Sequence, residues 1–204
     1  MPMRYTFRAE QWVPYPVELV FAFFVDPENL PGLMPAWQRT RIEEASYVTA
    51  PPYPVAVDPG HSVRSFAAGA GSQFTISFRS FPYSPIRLKW EAYITEFKWN
   101  DHFCDEQRRG PFGYWRHCHR VAEQLRVGVL GTSIADELAY ELPFGLLSRQ
   151  ANALIVSRQI RSIFKFRQAS LDPRLLYLSQ QSEKQAGQES TERSQQVHIR
   201  RWPA

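Results

Sequence analysis

The chain has 204 residues, 44% of them hydrophobic and 14% aromatic, with a formal net charge of +4. That length supports one domain with a sizeable core and excludes two comfortable ones, and so mild a charge excludes a nucleic-acid footprint. Two cysteines without CxxC or CxxxC spacing exclude a disulfide framework and a structural zinc site.

In chain order, "RYTFRAEQWV" alternates, with Tyr5, Phe7 and Ala9 on one side and Arg8 and Glu10 on the other, which predicts a half-buried strand. In "PVELVFAFFV", Pro16 suits a first helical turn, and Val17, Val20, Phe21 and Phe24 make one apolar stripe. The run Leu19 to Val25 is too short to span a bilayer and lacks the flanks of a signal peptide. Asp26 before Pro27 offers a cap and a restart, so "DPENLPGLMP" predicts a second short helix.

Strands follow at about 37–48, 73–80, 86–98, 101–109, 113–124 and 131–141, with short links that imply antiparallel pairing. The proline-rich stretch "APPYPVAVDPGHS" over 50–62 reads as an ordered surface loop. "GAGSQF" at 69–74 lacks the third glycine of a dinucleotide loop and leads into a strand, so it reads as a turn. From Pro143 the pattern is helical: Ala151, Ile155, Val156, Ile160, Ile163, Phe164 and Phe166 share a broad apolar arc opposite Arg158, Arg161 and Lys165. Residues 1–180 therefore read as one domain, and the polar stretch 181–204 as a disordered tail.

Strand, two short helices, six antiparallel strands and a long last helix is the order of the helix-grip fold, an α+β architecture. A curved antiparallel sheet of about seven strands wraps the C-terminal helix. On "PVELVFAFFVDPENLPGLMP", "RLKWEAYITEF", "DEQRRGPFGYWRHCHRV" and "DELAYELPFGLL", the chain resembles the START and polyketide cyclase/dehydrase-like superfamily, also called SRPBCC. The resemblance covers roughly residues 3–170. It is nearest a bacterial branch whose members occur alone or joined to an epimerase-like nucleotide-binding domain. What it implies is a cavity for a hydrophobic ligand, with catalysis in some members.

The hairpin around "GPF" can be read physically. An odd loop pairs Glu106 with Arg116, Arg108 with Tyr114 and Cys104 with Cys118 on one face. The other face pairs Asp105 with His117, Gln107 with Trp115 and Phe103 with His119. The opposite-charge pair belongs in solvent, so Trp115, His117 and His119 point inward. In the strand 86–98, Leu88, Trp90, Ala92 and Ile94 form the more apolar set.

The expected ligand site is Trp90, Trp115, His117 and His119, with Phe74, Phe78 and Ile94, and the helix face near Ile155 and Ile163. Asp105 and Gln107 are its expected polar support. His117 with Asp105 is the candidate catalytic pair for a cyclase or dehydratase. The same residues offer workable metal spacing, but His61 and His102, the remaining candidate ligands, sit near strand ends, so no metal and no cofactor are expected. The reading is a cytoplasmic protein, with reduced thiols, that binds a hydrophobic or amphipathic small molecule or lipid. Its alternatives are an enzyme and a regulatory module that contacts a protein partner without a ligand. The basic face of the last helix offers at most a transient membrane contact.

Overall fold

A computed structural model describes residues 3–53, 67–143, 150 and 152–199. Seven strands form one antiparallel sheet: β1 (Arg4–Val13), β2 (Arg41–Ser46), β3 (Gln73–Arg79), β4 (Arg87–Lys98), β5 (His102–Arg109), β6 (Tyr114–Arg126) and β7 (Val129–Glu141). Their spatial order is β1-β7-β6-β5-β4-β3-β2. Every sequential neighbour from β2 to β7 is an antiparallel partner, and β1 closes on β7, pairing Tyr5 with Tyr140 and Phe7 with Leu138. The fold is thus the expected curved sheet with short helices after the first strand and a long C-terminal helix.

The helix α1 (Val17–Val25) follows β1 directly. The sequence suggests one apolar stripe on it, yet every residue except Glu18 is buried. An all-round apolar helix needs cover on all sides, and α1 obtains it between the β6–β7 face and the last helix. Asp26 then caps the short 3-10 helix Pro27–Leu33, accepting from the Glu28 backbone N–H at 3.0 Å.

The last helix, α2 (Ser157–Ile199), is preceded by a π-helical turn over Asn152–Val156. Its inward stripe carries Ile160, Phe164, Leu171 and Leu175, all buried. Two residues placed on that stripe by the sequence lie elsewhere: Ile155 is 47% exposed and Phe166 37%. The wider π turn breaks the angular count before Ser157, and Phe166 stands about 200° from Phe164, so neither can share its face. Ala151 and the stretch 54–66 lie outside the described residues. The polar stretch from Gln181, expected to be disordered, continues α2 as far as Ile199. Its five Gln and three Glu hold helical geometry at little cost.

The interior divides into three apolar clusters. Val13, α1, Leu171 and Leu175 form one end. Trp115, Leu138, Tyr140, Ile160 and Phe164 form a second, against Phe7 and Trp90. Phe74, Ile76, Ala92 and Ile94 line β3 and β4, again with Trp90 at their border.

Candidate functional site

The β5–β6 register pairs Glu106 with Arg116, Cys104 with Cys118, Asp105 with His117 and Phe103 with His119. Arg116 turns outward and bonds Glu96 at 2.5 Å and Glu106 at 3.3 Å. Because strand side chains alternate, its neighbours Trp115 and His117 must turn inward, and both are buried, as is His119. The inward row therefore forms as the charge pairing requires.

On the outward parity, Cys104 and Cys118 are joined in a disulfide. This corrects the expectation of reduced thiols. Directly opposed residues on adjacent antiparallel strands bring their side chains together whatever the total cysteine count, and here their Cα atoms are 4.1 Å apart. The thiol argument for a cytoplasmic location is thereby removed. Among the described residues no helix is long and apolar enough to cross a membrane.

Inside, a chain of hydrogen bonds crosses three strands. His117 Nδ1 lies 3.3 Å from Asp105 Oδ1 and its Nε2 2.8 Å from Asp136 Oδ1. The same Asp136 oxygen lies 2.7 Å from His119 Nδ1. An ionised carboxylate only accepts, so each of these nitrogens carries the hydrogen. His117 is then the imidazolium. Burial opposes that charge, but the hydrogen bonds to Asp105 and Asp136 and their negative charge overcome it and raise its pKa from 6.5 to about 9. His119 is held neutral, because burial lowers its pKa more than Asp136 raises it, with Arg167 and His117 adding to the lowering. Burial disfavours the Asp136 anion too, yet Arg167 and both imidazoles hold its carboxyl well below the usual range. The charges of Asp105, Asp136, His117 and Arg167 cancel, which is what a buried polar group requires.

This geometry bears on the candidate pair, which it places in contact, His117 Nδ1 against Asp105 Oδ1. His117 has both nitrogens occupied by carboxylates and a pKa of about 9, so it has no lone pair for a proton at neutral pH. The nitrogen that does is His119 Nε2, which is buried without a hydrogen-bond partner among the described residues. Its ring packs 3.8 Å from Phe24 and 5.5 Å from Phe103, centroid to centroid. Asp136 behind Nδ1 fixes the tautomer that leaves Nε2 bare.

His117, His119 and Asp136 also present ligand atoms within 4.8 Å of one another, a spacing a metal ion accepts. In this structure both converging nitrogens lie within hydrogen-bond distance of one carboxylate oxygen. His102 bonds its neighbour Asp101 at 2.8 Å instead, and His61 lies outside the described residues.

The other expected residues separate into two groups. Trp90 and Trp115 meet edge to face at 4.6 Å, with Phe112 4.7 Å from Trp115 and Phe78 6.0 Å from Trp90. Phe74 and Ile94 form the adjoining wall. Gln107 does not face a ligand with its amide: it donates to the Phe112 carbonyl at 2.8 Å and accepts from the Phe112 N–H, holding the hairpin loop closed. Ile155 is exposed, as described above, and Ile163 is half-buried.

The sequence reading misses Asp136 and Arg167. Both interrupt apolar inward rows: Asp136 lies between Ile134 and Leu138 on alternate positions of β7, and Arg167 falls between Phe164 and Leu171 on α2. A charge at such a position is the signal that could have found them.

No family model matches the chain, and no curated protein matches it. Solved structures do. The Thermus thermophilus protein TTHA0849 is 18% identical over 85% of this chain and 99% of its own, with a TM-score of 0.56. A Thalictrum flavum norcoclaurine synthase point mutant, solved with a transition-state analogue, is 11% identical over 87% and 97%, with a TM-score of 0.54. The Chromobacterium violaceum protein CV1439 is 15% identical over 82% and 97%, with a TM-score of 0.52. Seven antiparallel strands closing on one long terminal helix, shared with these structures over nearly their whole length, are the helix-grip fold.

Proposed function

We propose that the protein binds a hydrophobic or amphipathic small molecule between the sheet and α2, against Trp90, Trp115, Phe74, Phe78 and Ile94. One observation carries this reading: the indole N–H groups of Trp90 and Trp115 are both buried and neither has an acceptor among the described residues. A buried donor left unpaired costs about 1–3 kcal/mol, and the two stand together at the border of two apolar clusters. A ligand offering an acceptor within an apolar frame relieves both. At about 25 cal/mol per Å² of apolar surface, burial of about 300 Å² contributes about 7 kcal/mol before the cost of association.

Native mass spectrometry of protein purified from its own host tests this. The reading expects a stoichiometric small-molecule adduct that organic extraction removes. An adduct-free protein that also takes up no lipophile on titration would favour a protein-interaction role instead.

A second reading, an enzyme of cyclase or dehydratase type, is favoured by the bare Nε2 of His119 with Asp136 behind it, the arrangement of a general base. On that reading His119→Gln ends turnover of a bound carbonyl compound and leaves its binding in place.

A further inference from the structure

Two buried polar atoms at the inner end of the Asp105–His117–Asp136–His119 chain lack partners among the described residues, and they are complementary in kind. His119 Nε2 is an acceptor and Arg167 Nε–H is a donor. They belong to different elements, β6 and α2, yet both side chains lie against one ring: His119 is 3.8 Å from the Phe24 centroid, and the Arg167 guanidinium carbon 5.2 Å from it. Arg167 also lies 5.8 Å from the Phe164 centroid, and no ion pair holds it among the described residues. An arginine that reaches an apolar interior commonly meets a carboxylate there; this one has aromatic rings and an open donor.

We propose that the interior site takes a long-chain carboxylic acid, its carboxyl group held between Arg167 Nε–H and His119 Nε2 and its chain running past Phe164 towards Trp115. This rests on the reading of the interior as a ligand site and names the class of ligand. A carboxyl group supplies what the two atoms need, one oxygen accepting from the guanidinium and the other bonding the imidazole nitrogen. The distance decides the shape of the rest. Trp115 and His119 are four residues apart on β6, about 13 Å along a strand, which an extended chain spans and a compact ring does not. Between them His117 offers the chain no free polar atom, since carboxylates occupy both its nitrogens and Phe164 packs 5.7 Å from its ring.

Charge sets the protonation state of the bound pair. The groups facing His119 are Asp136 from β7, His117 from β6 with Asp105 of β5 behind it, and Arg167 from α2. Phe24 of α1 and Phe103 of β5 add no charge. Those charges already cancel, so the ligand enters as the neutral acid. The proton it carries stays within the carboxyl–imidazole pair, on oxygen or on Nε2, without changing the sum. An acid ionised in solution at pH 7.5 therefore takes up one proton when it binds.

The experiment compares dodecanoic acid with methyl dodecanoate by quenching of tryptophan fluorescence, in the wild type, Arg167→Gln and His119→Gln. Calorimetry of the acid in two buffers of different ionisation enthalpy counts protons. The expected result is a preference for the acid of about tenfold or more, uptake of close to one proton, and a preference reduced to about twofold or less in Arg167→Gln. Ester binding reports within each variant that the fold and the apolar part of the site persist. His119→Gln, which leaves that sum of charges unchanged, supplies the second variant: it should keep the proton uptake, the proton then staying on the carboxyl oxygen. Equal affinity of acid and ester for the wild type, or no proton uptake, overturns the carboxylic-acid assignment while leaving the ligand-binding reading intact. Failure of both probes to bind the wild type overturns the two together.

Discussion

Asp136 Oδ1 lies 2.8 Å from His117 Nε2, and because the same oxygen also takes the Nδ1–H of His119 at 2.7 Å, one carboxylate ties the two inward histidines of β6 to β7. All three side chains are buried. Removing this carboxylate takes from the imidazolium of His117 and the guanidinium of Arg167 the anion that both act on.

Asp136→Ala should accordingly destabilise the protein by about 3–5 kcal/mol, the cost of breaking a buried charge pair. Arg116→Ala, which breaks ion pairs to Glu96 and Glu106 on the outer face, should cost about 1 kcal/mol or less. Urea unfolding of the two variants checks the contrast, and equal losses would mean that the inner chain holds nothing together.

The same chain makes stability depend on pH in a definite sense. His117 has its pKa raised to about 9 in the folded state from 6.5. Its contribution is complete below pH 6.5 and is lost as pH rises through 9, up to about 3 kcal/mol in all. His119 has its pKa lowered by burial, so the unfolded chain takes up that proton first and stability falls as pH drops below 6.5. The lowered pKa of Asp136 extends that fall below pH 3.8. The melting temperature should peak near pH 6.5, and His117→Gln should flatten the alkaline limb. A wild-type profile still rising between pH 7 and 9 would contradict the imidazolium.

The Cys104–Cys118 bond, with its sequence separation of 14, closes a loop whose opening should cost up to about 3 kcal/mol. Unfolding with and without dithiothreitol measures it, and the double variant Cys104→Ser/Cys118→Ser should match the reduced protein. Reduction without loss would show that the hairpin register alone holds these strands.

At the β6–β7 turn, Val127 and Gly128 are the two loop residues between the paired Arg126 and Val129, both with positive φ, 47° and 77°. A β-branched residue is strained there, and asparagine tolerates that region. Val127→Asn should stabilise the protein by about 1 kcal/mol, read from the urea midpoint. Val127 is fully exposed, so no packing loss opposes the gain.

How far the site is legible in the sequence differs residue by residue. The inward turn of His117 follows from the pairing of Glu106 with Arg116, since one registered charge pair fixes the parity of both strands. The same pairing sets Cys104 opposite Cys118, but a count of two cysteines weighs against the bond. Asp136 escapes because its role emerges only once β6 and β7 are in register, His119 opposite Asp136. Its place between Ile134 and Leu138 is nonetheless visible. Arg167 escapes because an arc drawn from apolar residues alone passes over a charge, although its place three residues after Phe164 and four before Leu171 sets it on the buried stripe. Strand alternation alone turns Gln107 towards a ligand, while its amide has a nearer partner in the backbone of Phe112, which only the folded loop brings to it.

The most direct test of an interior that accepts a guest is the set of indole N–H resonances in a ¹H–¹⁵N spectrum titrated with dodecanoic acid. Trp12 and Trp99 provide internal references, since their indoles already donate to the carbonyls of Gln124 at 3.0 Å and Pro51 at 2.7 Å. The signals of Trp90 and Trp115 should shift together and saturate at one equivalent while those of Trp12 and Trp99 stay in place. Shifts confined to Trp12 and Trp99, or no saturable shift at Trp90 and Trp115, would contradict a ligand site between the sheet and α2.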